Sequence, residues 1–343
     1  TYVADLIKNS LKNDGNYSDW AILYRTSAQS LTFEKEFLKR KIPYVLVGSL
    51  KFYEREEIKD VLAYISLLAN PQDEISFRRI VNKPTRGIGP KTQDAIVENA
   101  FDGNQYKNLL EFSKEYSQNL TKKAKEGVES FLSIMNSISE SLKTEKNLAE
   151  FIQKVSVITG LEEYYKSSDE IEGTSRVENL QELANSAVPF ECSIEGLTEF
   201  LDSINLDRSL ELSEGEVSND AVTLITLHNT KGLEYNKVVI TGLEDGIFPR
   251  MGKVGDELEE ERRLFYVGIT RAKDELYITS VAKRLMYGSW QYMKPSQFLS
   301  DAGEAFSVIG RVPYGFASYS KSATNKQNFG TFGKQITSST FAS

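Results

Sequence analysis

Apolar residues follow two rhythms along the chain, and the change of rhythm outlines its organisation. Residues 1–13, TYVADLIKNSLKN, set Asp5, Lys8 and Lys12 among apolar positions at helical spacing and read as an amphipathic helix. Residues 19–24, DWAILY, are a short apolar run of strand formers. Residues 31–42, LTFEKEFLKRKI, return to helical spacing, and residues 43–48, PYVLVG, form a second strand stopped by Gly48. The same β-α-β order returns near the far end. There AVTLITL (221–227) and KVVITGL (237–243) are apolar enough for strands buried on both faces, ELEEERRLFYVGITRAKD (257–274) reads as a helix, and ELYITSVA (275–282) closes with a strand.

Between these ends the texture is helical, as in EEIKDVLAYISLLA, KAKEGVESFLSIMNSISESL and SRVENLQELANSAV, with turn signals at NPQD, KPTRGIGP, FDGN and SDEIEGTS. The fold class expected is therefore α/β, a parallel-sheet domain assembled from both ends of the chain with an all-helical domain inserted into it. Beyond Ala302 the sequence turns polar and rich in Ser, Thr, Asn, Lys and Gly, the composition of a largely disordered linker. No internal repeat of solenoid period is present.

Composition narrows the function classes. A chain of 343 residues accommodates two domains, and no stretch of eighteen apolar residues offers a membrane span or an uninterrupted signal-peptide core. Cys192 is the only cysteine and His228 the only histidine, so neither an internal disulfide nor a zinc site of the usual kind is expected. The redox setting implied is a cytoplasmic one. A net charge of −8 argues against coating nucleic acid by bulk positive charge, yet local basic patches still act within a Debye length of about 10 Å.

Four clusters carry candidate chemistry. His228, Lys231 and Glu234 follow a buried-strand pattern and are expected in a loop at that strand's carboxyl end, where open α/β sheets bind ligands; a polar capping loop would look alike. Arg262, Arg263 and Arg271 lie in EEERRLFYVGITRAKD, where an arginine can stabilise phosphoryl-transfer charge across an interface or simply pair with Glu259, Glu260 and Glu261. In KPTRGIGPKT, Gly87 and Gly89 flank Ile88 beside Arg86, Lys83 and Lys91, a turn that lets backbone approach a phosphate or merely turns a corner. Finally, Arg25 with the hydroxyls of Thr26 and Ser27 at a strand end suits a nucleic-acid backbone, and Tyr287 suits base stacking, although a salt-bridged arginine and a core tyrosine fit the same letters.

The order of these segments resembles the UvrD/PcrA/Rep family of superfamily 1 DNA helicases. The matching stretches are AILYRTSAQS, GSLKFYEREEIKDVLAYISLLANP, RRIVNKPTRGIG, SRVENLQEL, VTLITLHNTKGLEY, GLEDGIFPR, EEERRLFYVGITRAKDELYIT and KPSQFL. The resemblance implies that residues 1–51 and 214–301 form the second RecA-like motor domain of a P-loop NTPase-type engine, that residues 52–213 form its inserted helical accessory domain, and that residues 302–343 are a linker. It further implies single-strand contacts by Arg25, Thr26, His228, Lys231 and Tyr287, duplex contacts by Arg86, Gly87, Ile88 and Gly89, a ribose contact by Glu234, and a γ-phosphate contact by Arg271 as the catalytic arginine. The implied cofactors are ATP and Mg²⁺, held mostly by a preceding motor half that carries the phosphate loop, since no G-x-x-x-x-G-K-[ST] occurs here. This chain alone is therefore expected not to hydrolyse ATP. The implied partners are single-stranded DNA and its duplex junction, that preceding half, and repair or replication proteins, and the implied polarity is 3′ to 5′. Two departures touch fine DNA contacts: Asn229 and Thr230 replace two small residues, and Arg250 stands where a histidine commonly follows Phe-Pro. A nuclease-coupled helicase subunit and a non-catalytic DNA-binding module are the rival readings. The first needs a nuclease motif that the tail lacks, and the second is disfavoured by the presence of Arg25, Glu234 and Arg271.

Overall fold

In chain order, α1 (Tyr2–Leu11), β1 (Trp20–Tyr24), α2 (Ser30–Arg40) and β2 (Tyr44–Val47) come first. They are followed by α3 (Glu56–Ala69), α4 (Glu74–Ile80), α5 (Pro90–Ala100), a two-residue hairpin of β3 (Phe101–Asp102) and β4 (Gln105–Tyr106), α6 (Leu109–Tyr116), α7 (Lys122–Thr144), α8 (Leu148–Ile158), α9 (Leu161–Lys166), α10 (Glu170–Ser186) and α11 (Ile194–Ser213). The chain then returns to β5 (Val222–Thr226), β6 (Tyr235–Ile240), α12 (Asp256–Ile269), β7 (Ala272–Thr279), the ribbon β8 (Lys283–Met286) and β9 (Ser289–Tyr292), α13 (Gln297–Asp301), β10 (Ser307–Ile309) and β11 (Gly333–Thr337). The computed structural model describes residues 1–343 except 13–14, 103–104, 168–169, 214–219, 287, 303–306, 310–332 and 338–343.

Two compact units result. One comprises residues 1–51, 210–285 and 290–343, and the other residues 52–209 and 286–289. In the first unit a sheet of order β10-β11-β7-β6-β1-β5-β2 has five parallel strands, β7 through β2. β11 and β10 extend it antiparallel at the β7 edge, so two stretches of the tail that reads as linker are sheet strands. Alternate residues of the central strands feed two cores, as the two-residue period of a strand requires. Ala21, Leu23, Ile225, Val238 and Ile240 face one side with Phe248, Phe265 and Phe298, while Trp20, Ile22, Tyr24, Val222, Leu224 and Val239 face the other with α1 and Phe37. Every residue of β1 is fully buried.

The helical unit is built from α3 to α11. Its largest buried side chains include Tyr64, Phe77, Phe131, Phe151, Tyr165 and Phe200. Fully buried Asp60 of α3 pairs with Arg79 at 2.7 Å and with Lys83 at 2.5 Å, and it also accepts the Tyr165 hydroxyl. A lone carboxylate in that position would cost several kcal/mol, and the two cations and the phenol offset this.

Two boundaries differ from the sequence reading. The segment SDEIEGTS, read as a turn, lies mostly inside α10, which starts at Glu170. One interior glycine costs a helix only about 1 kcal/mol, too little to stop one that continues into a packed segment. The helix expected over residues 257–274 ends at Ile269, and Ala272 already pairs with Tyr235 as the start of β7.

Candidate nucleotide and nucleic-acid interface

The parallel register divides the candidate residues between two opposite ends of one sheet. Tyr24 pairs with Thr226, so Arg25 and the short turn Leu227–Thr230 both leave at the carboxyl end of the strands. Trp20 pairs with Lys237 and Tyr235 with Ala272, so Glu234 and Arg271 stand at the amino end. The expectation that His228, Lys231 and Glu234 share a loop at the carboxyl end is corrected. His228 does sit there, but residues 227–234 run the height of the sheet and deliver Glu234 to the other end. Four residues of 3₁₀ turn at about 2 Å each and four more at no more than about 3.3 Å each reach at most roughly 21 Å, enough for a five-residue strand of roughly 17 Å.

At the carboxyl end, Arg25 is held rather than free. Its Nε donates to both Glu261 carboxylate oxygens at 3.0 Å and its Nη2 to Oε1 at 2.5 Å, with the two side chains only 11% and 6% exposed. The salt-bridged alternative weighed for Arg25 is thus what the structure contains, and Tyr24 beside it is fully buried. Gln29 sets the turn: its side-chain carbonyl accepts from the backbone N–H of Arg25 at 2.9 Å and of Thr26 at 3.1 Å. Gln29 was not singled out in the sequence, and Glu261 only as a possible partner of the neighbouring arginines. Their only signal was a polar residue five positions after a strand end and one carboxylate among three.

Exposed His228 lies in the field of this pair. Its imidazole is held below the ordinary value, first by partial burial of the ring and then by the positive charges of Arg25 and Arg250, against an opposing effect of Glu261. The unfolded chain therefore binds the proton more readily, and stability falls as pH drops below about 6.5, the unperturbed value. Because this is the only histidine, one imidazole resonance reports it. Its NMR titration midpoint is expected below about 6.5 and is expected to rise in Arg25→Gln, which removes the cation and unmasks Glu261. A midpoint unmoved by that substitution would contradict the coupling.

At the amino end, Arg271 has no carboxylate partner among the described residues. Its Nε donates to the Val267 carbonyl at 3.0 Å, its Nη1 to the Leu233 carbonyl at 2.9 Å and its Nη2 to the Thr270 hydroxyl at 2.9 Å. Two of five guanidinium N–H groups stay available and the charge is not neutralised. The backbone closes the same junction, with the Tyr235 N–H donating to the Arg271 carbonyl at 2.9 Å, so exposed Glu234 and half-buried Arg271 are brought together. The neighbouring arginines behave differently: Arg262 pairs with Glu259 and Asp301, and Arg263 with Glu260 at 2.8 Å.

One helix joins the two ends. α12 carries Glu261 in its second turn and ends two residues before Arg271. It is seated closely because Gly268 has no side chain, a Cβ there lying 2.5 Å from Leu227 Cδ2 and 3.1 Å from Ile240 Cδ1.

In the helical unit, the turn at residues 83–89 places its candidates unevenly. Asn82 Oδ1 accepts from the backbone N–H of Arg86 at 2.8 Å and of Ile88 at 3.0 Å. The Arg86 guanidinium points inward, donating to the Ile80 carbonyl at 3.1 Å and the Tyr64 hydroxyl at 2.8 Å over the Phe131 ring. Burial pushes the Tyr64 phenol up to about 12, so it keeps the proton it donates to the Lys83 carbonyl. Ile88 is fully buried and Lys83 is committed to Asp60 and Glu56. The side chains of Arg86 and Ile88 therefore shape the turn from inside, which corrects the expectation that they face a duplex. What remains outward is backbone at Gly87 (φ +79°) and at Gly89, where a Cβ would meet nothing within 4 Å, with Lys91 and Lys123 exposed nearby. Tyr287 lies outside the described residues.

With this geometry in place the chain can be compared with known proteins. Residues 1–283 match the UvrD-like helicase C-terminal domain, and the chain belongs to that family. It is 38% identical over 295 residues to the ATP-dependent DNA helicase PcrA of Leuconostoc citreum, covering 83% of this chain and 39% of that protein. It is 36% identical over 316 residues to DNA helicase II of Escherichia coli K12, covering 88% and 43%. It is also 38% identical over 296 residues to PcrA of Bacillus subtilis 168, covering 83% and 39%. The chain spans about two-fifths of the length of these relatives. No described helix is long and apolar enough to cross a membrane.

Proposed function

We propose that the intact protein is an ATP-dependent DNA helicase that moves 3′ to 5′ along single strands, and that this chain supplies its second motor domain together with the inserted helical accessory domain. The observation that carries the reading is the division of labour across one sheet: Glu234 and Arg271 at the amino end, Arg25 and His228 at the carboxyl end, with α12 between them. The amino end is the nucleotide face. There Arg271 meets the γ-phosphate of an ATP held with Mg²⁺ by the preceding motor half, and Glu234 meets the ribose. An arginine with an uncompensated charge and two spare donors suits a transferring phosphoryl group. The carboxyl end, with His228, Lys231, Thr26 and Arg25, is the single-strand face, and Tyr287 is a further contact to the same strand by family resemblance. Arg25 acts there by exchanging its partner Glu261 for a phosphate, so strand binding and the state of α12 are linked. Hydrolysis then changes the grip on the strand as the nucleotide cleft opens. Lacking a phosphate loop, the chain alone does not turn over ATP.

The backbone at Gly87 and Gly89 is the duplex contact of the accessory domain, flanked by Lys91 and Lys123. The two glycines are not equivalent tests. Gly87→Ala forces a side chain into a left-handed conformation at a cost of about 1 kcal/mol. Gly89→Asp adds its carboxylate in open space and tests contact alone. The experiment is fluorescence anisotropy of this chain with a 3′-tailed duplex, a blunt duplex and a single strand, each titrated with salt. The tailed junction is expected to bind tightest, and Gly89→Asp is expected to weaken it by about tenfold, one lost phosphate contact's worth, with the melting temperature unchanged. Equal binding of all three DNAs by the variant and the parent chain would remove the turn from the interface.

A further inference from the structure

We infer that the outer face of the β8–β9 ribbon is a base-stacking platform for single-stranded nucleic acid, formed by Trp290 and Tyr292 with Lys283. This rests on the reading of the carboxyl end as the single-strand face and adds residues to it that are separate from Tyr287. Trp290 and Tyr292 are two apart on one strand and so share a face, and they are 68% and 80% exposed. Lys283 of the opposing strand lies over the Tyr292 ring, 4.4 Å from its centroid. Large rings left in water on a two-stranded ribbon bury nothing in the fold, and among the described residues no other strand covers them.

Charge decides which occupant they suit. From Leu276 to Ser300 the sequence contains Lys283, Arg284 and Lys294 and no Asp or Glu; Arg284 is paired with Glu244, and Lys283 and Lys294 keep the segment cationic in a chain of net charge −8. An aromatic pair inside a locally cationic segment matches the alternation of bases and phosphates along a single strand. The ribbon is also fixed to the correct end of the sheet. Fully buried Glu244, just beyond β6, accepts from the Val281 N–H at 2.8 Å and from Arg284 Nε at 3.0 Å and Nη2 at 2.6 Å. The Asp245 N–H donates to the Lys294 carbonyl at 2.8 Å and the Ser296 N–H to Leu243 at 2.9 Å, so both legs are stitched to one segment.

The chain contains its own probe. Of its two tryptophans, Trp20 is fully buried and stacked on Tyr277 at 5.6 Å, whereas Trp290 faces solvent. Titration of this chain with oligo(dT) is expected to quench the solvent-exposed emission, and Trp290→Phe is expected to erase that change. An abasic strand of equal length, which keeps the phosphates, is expected to bind more weakly and leave the emission unaltered. In anisotropy, Trp290→Ala and Tyr292→Ala should each weaken oligo(dT) binding by about tenfold or more, with Trp290→Tyr restoring most of it. Circular dichroism of each variant should match the parent chain. Oligo(dT) binding that leaves emission unchanged and is indifferent to both alanines would overturn the platform while sparing the single-strand reading. Failure of every strand to bind would overturn both.

Discussion

Replacing Arg271 with alanine in the intact protein is expected to lower DNA-stimulated ATP hydrolysis by on the order of 10³ or more while leaving affinity for single-stranded DNA nearly intact. The fold loses little by the change: the guanidinium makes three hydrogen bonds to its own surroundings and neutralises no carboxylate, so the stability cost is about 1–2 kcal/mol. On the proposed role the chemistry loses much more, because a cation that meets developing phosphoryl charge acts mainly in the transition state. Arg263→Ala is the matched control. That side chain is spent on an exposed pair with Glu260, and its removal should leave turnover near that of the parent. Near-normal hydrolysis by Arg271→Ala would withdraw the assignment. Loss of turnover in both variants would mean that α12 itself had been disturbed.

Glu244→Ala is expected to destabilise the sheet unit by about 3–5 kcal/mol. A fully buried carboxylate that takes three donors leaves Arg284 without its counter-charge and the Val281 N–H without its acceptor when it is truncated. Glu244→Gln keeps an acceptor for Val281 and gives up the ion pair, so it should fall between the two. Urea unfolding followed through Trp20, buried in the same unit, measures both. A midpoint in Glu244→Ala equal to that of the parent would show that the ribbon is not anchored through this residue. A loss of stability together with weaker oligo(dT) binding would tie the ribbon's anchor to its proposed contact.

The sheet was legible because its strands are buried on both faces. DWAILY, AVTLITL and KVVITGL are unbroken apolar runs, and β1, β5 and β6 lie within or across them. Amphipathic spacing likewise located α3 at residues 56–69, as read. What periodicity cannot supply is the partner on the far side of a contact. Arg25 and Glu261 are 236 positions apart, and nothing local distinguishes Glu261 from Glu259 or Glu260. The same limit explains Arg86, whose inward turn depends on Tyr64 and Phe131 from two other helices. Charged strand residues mislead in another way. Lys273 and Asp274 look like a helix surface, but parallel pairing with β6 places them near the start of β7. The separation of Glu234 from His228 was hidden because six residues of sequence give no direction of travel. Polar tail segments gave no sign of pairing with β7, since backbone hydrogen bonding is indifferent to side-chain composition.

The close seat of α12 at Gly268 has a mechanical consequence. A helix clamped near one end and loaded at the other behaves as a lever, and here Gly268 and Leu227 form the fulcrum. The seven residues from Gly268 back to Glu261 give an arm of roughly 10 Å, so a tilt of about 10° sweeps the far carboxylate through roughly 1.8 Å. That travel exceeds the roughly 1 Å of stretch within which the hydrogen bonds holding Arg25 break. On the proposed linkage between strand binding and α12, a tilt of that size would be enough to release Arg25 at the opposite end of the sheet.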